Sequence, residues 1–179
     1  MHASTAAAAT RLLPFATEAS WATGRWPALE KYTSMVPKGV GEDFNVSIAR
    51  ALLAMHAKDT ENFASTIQSL RKQISSSLST ATTPSIAASH DALFKCHVLS
   101  ELEVIAGTTN QGVDCQTIVE SLDRRLEVLG AYLNDKQYLL GVRRAAMQLS
   151  RYALDDVAND FMLILLALNL PKGILLRPG

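Results

Sequence analysis

The sequence lacks an excess of charge: 17 Lys and Arg balance 17 Asp and Glu over 179 residues. Binding to nucleic acid or to an anionic membrane surface calls for a basic stripe. Direct nucleic-acid binding is therefore not expected, and partners are expected to be proteins. Cysteine is nearly missing as well. Cys96 and Cys115 are the only two, and without a secretory signal they read as reduced thiols of the cytosol or nucleus rather than a disulfide framework. Long apolar runs are also absent. The strongest, Phe161 to Leu168, is closed in by Asp160 before it and by Asn169 and Pro171 after it. A membrane span needs roughly 20 residues, so this run reads as a buried helix and no membrane association is expected. Met1 to Thr10 is Ala, Ser and Thr without an apolar run, which excludes a signal peptide or anchor and marks residues 1–10 as a frayed, disordered end.

Catalytic chemistry is the other absence. A nucleotide site needs a glycine-rich loop whose amides cradle phosphates, and Gly39-Val40-Gly41 is too short to be one. No catalytic-loop Asp with a downstream Asn occurs, nor a metal-binding Asp before Phe-Gly. Cys96, His97 and His90 invite a test for zinc, but neighbouring residues on a helix point about 100° apart, so Cys96 and His97 do not readily share an ion. Cys96 reads as a small core residue. His90 beside Asp91 resembles a base and its orienter only on paper, since sequence neighbours on a helix do not face each other. No catalytic, cofactor-binding or metal-binding residue is assigned, and no small-molecule ligand is expected.

What the sequence does hold is apolar residues at helical spacing, with 48% apolar composition to fill a core. Phe44, Ile48, Leu52 and Met55 form one stripe. Phe63, Ile67, Leu70, Ile74 and Leu78 form a second, and Ile118, Leu122, Leu126, Leu129 and Leu133 a third. Leu93, Cys96, Leu99 and Leu102 continue the pattern, followed by Leu139, Val142, Ala146 and Leu149. Strand-like alternation is missing, so about six or seven helices are expected. Gly24 suits a left-handed helix end and Pro27 the first turn of the next helix. Asp59 and Thr60 can cap the helix carrying Phe63, and Asn134 and Asp135 the helix carrying Tyr138. Pro37 to Gly41 reads as a loop, Ser75 to Ser85 as a fraying end or loop, and Gly107 to Gly112 as the close of the helix before it. Asp123, Arg124, Arg125 and Glu127 lie opposite the third stripe, and Arg143 and Arg144 flank the last. These charges read as a solvated face of weak ion pairs.

The stretch from Gly24 through Trp26, Ala28 and Tyr32 has the layout of a tetratricopeptide-type turn and second helix. Shifted by 35 residues, Asp59, Glu61, Phe63, Ala64 and Ile67 occupy comparable places, and a period near 34 marks such arrays. Stacked helix pairs that bury each other's faces are expected, with apolar end faces wherever a neighbouring repeat is missing. If the Trp26 ring is core, Trp26→Ala costs roughly 3–5 kcal/mol.

Three stretches together resemble a known family. Leu13 to Trp21 with Glu18 and Ala19, then Gly24-Arg25-Trp26 and Leu29-Glu30-Lys31-Tyr32, is similar to the FAT region of the ATR class of phosphatidylinositol kinase-related protein kinases. Asp43 to Leu53 resembles the helix that follows. Arg125-Leu126-Glu127, Tyr132, Leu139, Arg143-Arg144-Ala145 and Leu149 resemble a later segment, in the manner of the fungal checkpoint kinases. The resemblance implies an all-α, tetratricopeptide-like α-solenoid of antiparallel helix pairs over residues 11–150, followed by a divergent apolar helix and tail over 151–179. It further implies a scaffold and protein-interaction segment of a nuclear serine/threonine kinase in DNA-damage and replication checkpoint signalling, partnered by the kinase domain of its parent chain. ATP and Mg belong to that parent kinase and not to this chain. A stand-alone helical-repeat adaptor is the alternative.

Overall fold

A computed structural model describes the backbone of residues 2–36, 43–79, 85–108 and 115–150. The expected Pro37–Gly41 loop, the end of the Ser/Thr-rich stretch at 80–84, the loop up to Gly112 and the Phe161–Leu168 helix lie outside the described residues. The elements are α1 His2–Ala22, α2 Trp26–Ser34, α3 Phe44–His56, α4 Thr60–Ser79, α5 Ile86–Thr108, α6 Cys115–Leu126 and α7 Leu133–Leu149. A single 3₁₀ turn, Glu127–Leu129, extends α6, and the described residues contain no strand. The all-α expectation holds. α1 starts at His2, within the stretch whose composition suggests a frayed end, and it carries Pro14 in its interior, where one helical amide donor is lost.

The two turns that join α1 to α2 and α3 to α4 are the same structure. At the first, the Arg25 amide donates to the Ser20 carbonyl at 2.8 Å and the Gly24 amide to Trp21 at 3.2 Å. At the second, the Asp59 amide donates to Ala54 at 2.9 Å and the Lys58 amide to Met55 at 3.0 Å. This crossed pair of bonds satisfies carbonyls that the helix end leaves open, and it needs one residue in the left-handed region. Gly24 fills that place at φ +67° and Lys58 at φ +57°. The hydrogen bonds therefore pair residues 34 apart, Gly24 with Lys58 and Arg25 with Asp59. The 35-residue shift suggested by residue type is one too many, because it matches the small turn residue Gly24 to the helix cap Asp59. Asp59 does cap α4, accepting from the Asn62 amide at 2.9 Å; Thr60 is already helical. Pro27 sits in the first turn of α2 as expected.

Two other local expectations change. α7 begins at Leu133, with Tyr132 at its cap position and no side-chain capping bond, so Asn134 and Asp135 are not its caps. The third apolar stripe stops at Leu129, because Gly130 turns the chain at φ 54°, ψ −121°, a conformation open to glycine. Leu133 is 40% exposed as a result.

The core runs through Leu29, Ile48, Leu52, Ile67, Leu99, Leu102, Leu122 and Leu139. The α4 stripe from Phe63 to Ile74 is buried as the spacing predicts. On α5 the stripe fails at one end: Leu93 is 72% exposed. Residues 93, 96, 99 and 102 step uniformly by three, and each such step falls about 60° short of a full turn, so the run winds halfway around the helix. The buried face instead follows Ala92, Val98, Leu99, Leu102 and Ile105. α1 pairs with α2 and α3 with α4, α1 packs on α3, and α4 carries the array on to α5. α7 packs on α5 and also reaches past it to α3 and α1.

The core tryptophan of the first pair is Trp21, 2% exposed. Trp26 is half-buried, its ring stacked on His56 at 5.1 Å. In urea melts, Trp21→Ala should lose roughly 3–5 kcal/mol and Trp26→Ala clearly less. Lys58→Gly should gain up to about 1 kcal/mol by relieving the left-handed residue, and Gly24→Ala should lose about as much. Equal losses at the two tryptophans would contradict this packing.

Candidate functional site

The most concentrated chemistry in the fold is a buried ion-pair network where α5, α6 and α7 meet. Arg143 of α7 and Glu101 of α5 are each 1% exposed. The Arg143 Nε donates to Glu101 Oε2 at 3.0 Å and Nη2 to Oε1 at 2.9 Å, a forked, bidentate pair. Nη1 donates to Asp123 Oδ1 of α6 at 2.7 Å, and Nη2 also reaches the Leu122 carbonyl at 2.9 Å. Burial disfavours the guanidinium charge, but the hydrogen bonds and negative charges of Glu101 and Asp123 outweigh it and hold the Arg143 pKa above the ordinary arginine value. Arg143 and Asp123 thus leave the solvated face that the sequence suggested for them. The missed signal is positional: Arg143 lies four residues after Leu139 and three before Ala146, and Glu101 lies between Val98 and Ile105, so both interrupt apolar stripes.

Arg144, the next residue, points the other way, and its Nη2 donates to the Ala22 carbonyl at 2.7 Å. That carbonyl is one of those left open at the C-terminus of α1, where a cation is also favoured by the helix dipole. Beside it, the Trp21 ring lies 3.5 Å from where a Cβ on Gly141 would stand and meets Tyr138 edge-on at 5.9 Å. Tyr138 also meets Phe44 of α3 and Phe94 of α5, and its hydroxyl donates to Asn45 Oδ1 at 2.7 Å. Asn45 passes the contact on, its Nδ2 donating to Glu18 of α1 at 3.3 Å. Burial, then the charges of Glu18 and Asp43, push the Tyr138 hydroxyl far above its usual pKa, so it remains a donor. Partial burial and the nearby Asp43 also raise the Glu18 carboxyl. The Trp21 indole N–H finds no acceptor among the described residues.

The histidines and Cys96 fall into separate surroundings. His90 is hydrogen-bonded through Nε2 to Asp135 at 2.7 Å and lies against the Tyr132 ring, while its neighbour Asp91 pairs with Lys95 at 2.6 Å. His97 stands 3.4 Å from Glu101 Oε1, too poorly aligned for a hydrogen bond. Cys96 is a free thiol packed at the edge of the core, and the Cys115 side chain lies outside the described residues. No group of three His, Cys, Asp or Glu among the described residues could hold a metal ion. No described helix is long and apolar enough to cross a membrane.

A groove of about 870 Å³ lies over α3, walled by α2 and α4, and its lining mixes hydroxyl and amide side chains with charged and apolar ones.

Fold and sites together define an all-helical repeat scaffold whose polar chemistry is spent on joining helices. The model of the FAT domain family matches residues 13–167, and the chain belongs to that family. FAT domains are found in phosphatidylinositol kinase-related kinases, and this one has the helical-repeat fold of a scaffold. The match runs past Ser150, where the likeness of the individual motifs ends, into the apolar run at residue 161.

Removing one partner from a buried ion pair strands the other charge and costs roughly 3–5 kcal/mol, whereas replacing both with apolar groups is often neutral. Arg143→Met should therefore destabilise the chain by about that much. Adding Glu101→Leu should recover most of the loss, as read by a double-mutant cycle in urea. A double variant no more stable than Arg143→Met would show that the network does more than neutralise its own charges.

Proposed function

We propose that this chain is the scaffold and protein-interaction segment of an ATR-like serine/threonine kinase acting in DNA-damage and replication checkpoint signalling in the nucleus. ATP and Mg²⁺ act in the kinase domain of the parent protein, which this segment contacts as one protein surface to another. The observation that carries the reading is the combination of motifs with their structural roles. Glu18, Trp21 and the Asp43–Leu53 helix on one side, and Arg143-Arg144 on the other, are the stretches that resemble the ATR class. They are also the ones that join α1, α3 and α7 through Asn45, Tyr138 and the Ala22 carbonyl.

Two measurements test it. The coding sequence downstream of Gly179 should contain kinase motifs, and the kinase domain encoded there should co-purify with this chain on co-expression as a complex of defined stoichiometry. The endogenous protein, tagged, should be nuclear and should concentrate at stalled replication sites. A downstream frame without a kinase would instead make the chain a stand-alone helical-repeat adaptor.

A further inference from the structure

The groove over α3 has the core residues Ala54 and Leu70 in its lining, and its polar residues differ in kind from the charged seam around Arg143. Along α4, Asn62, Thr66, Ser69 and Gln73 line it. They step by four, three and four, so they form one row roughly 16 Å long on a single face. Other hydroxyls of α4 turn back onto its own carbonyls: Ser65 to Asn62, Ser75 to Lys72 and Ser79 to Ser75. The side chains of Asn62, Thr66, Ser69 and Gln73 make no such bond to any described residue. Among the charged lining residues, Glu30 and Asp59 balance Arg50 and Lys72. Arg50 is engaged by the Val36 carbonyl at 2.6 Å. The balance removes the long-range attraction that a phosphate-rich or strongly basic ligand would use. It leaves a local polarity, with Asp59 at the start of α4 and Lys72 thirteen residues along it, roughly 20 Å away.

A row of carboxamides and hydroxyls offers donors and acceptors at each step, as a peptide backbone does, and each carboxamide can take both a peptide N–H and a peptide C=O. An extended chain advances about 3.3 Å per residue, so about six residues span the distance from Asp59 to Lys72. We propose that the α2–α3–α4 groove docks an extended segment of about six residues from a protein partner, with a basic side chain facing Asp59 and an acidic one facing Lys72. This deepens the scaffold reading and rests on it: the groove is the place where the scaffold captures a linear segment, separate from the surface that meets a kinase domain.

The test is selection of a displayed random dodecapeptide library on the purified 179-residue chain, with Thr66→Trp as the groove-filling counter-target. Enriched peptides should carry a basic and an acidic residue about six positions apart. A synthetic copy of the leading peptide should bind about tenfold more weakly to the Asn62→Ala, Gln73→Ala double variant. Lys72→Glu should reverse the preference at the acidic position. Both variants alter side chains outside the buried core, and unchanged urea melts establish that they fold. Recovered peptides that bind Thr66→Trp as tightly as the unsubstituted chain overturn the proposal, as does a selection that enriches none. Groove-dependent peptides without kinase-domain co-purification sink the scaffold reading alone; the reverse pattern sinks the groove alone.

Discussion

A guanidinium cannot be taken out of water cheaply, and the placement of α5, α6 and α7 follows from that constraint. Arg143 is tolerated in the core only because Glu101, Asp123 and the Leu122 carbonyl meet four of its N–H directions at once. Sliding α7 by one residue along α5 or α6 would strand the charge. An apolar contact of the same size would permit many near-equivalent slides, so the network adds little net stability while selecting one register.

That register is what makes α7 the joining element of the described fold. With Arg143 directed into α5 and α6, helical geometry turns Arg144 about 100° away, onto the open carbonyl of Ala22. The same placement brings Tyr138 among Trp21, Phe44 and Phe94. In a plain repeat array each unit touches only its neighbours. Here one helix spans three pairs, which couples the first repeat to the last and suits a segment whose work is to hold other parts in position. Apolar side chains left at the periphery, such as Ile86, Leu93 and Val128, are consistent with a scaffold that has further surfaces to meet.

Much of this was legible from spacing. The α4 stripe, the Gly24 turn, the Asp59 cap and Pro27 each depend on residues within a turn or two, and local chemistry alone predicts them. Three kinds of feature were not legible. Uniform steps of three on α5 concealed its rotation, so Leu93 looked like core. The 34-residue correspondence was hidden because the second turn places Lys58, a residue with no special liking for the left-handed region, where the first places Gly24. Asp135 looked like a cap because it stands near a helix start, yet it serves His90 from another helix.

The sequence by itself determined the class of fold, the sites of the first turns and the membership that its FAT-like motifs suggested, since all of these are written in short-range patterns of apolar, turn and capping residues. Which charges are structural was decided only by the tertiary structure. Arg143, Glu101 and Asp123 are scattered over some forty residues of chain, and nothing local separates a buried ion pair from a solvated one. Their pairing exists once three helices converge, because only the packed core supplies the desolvation that makes an unpaired charge intolerable there.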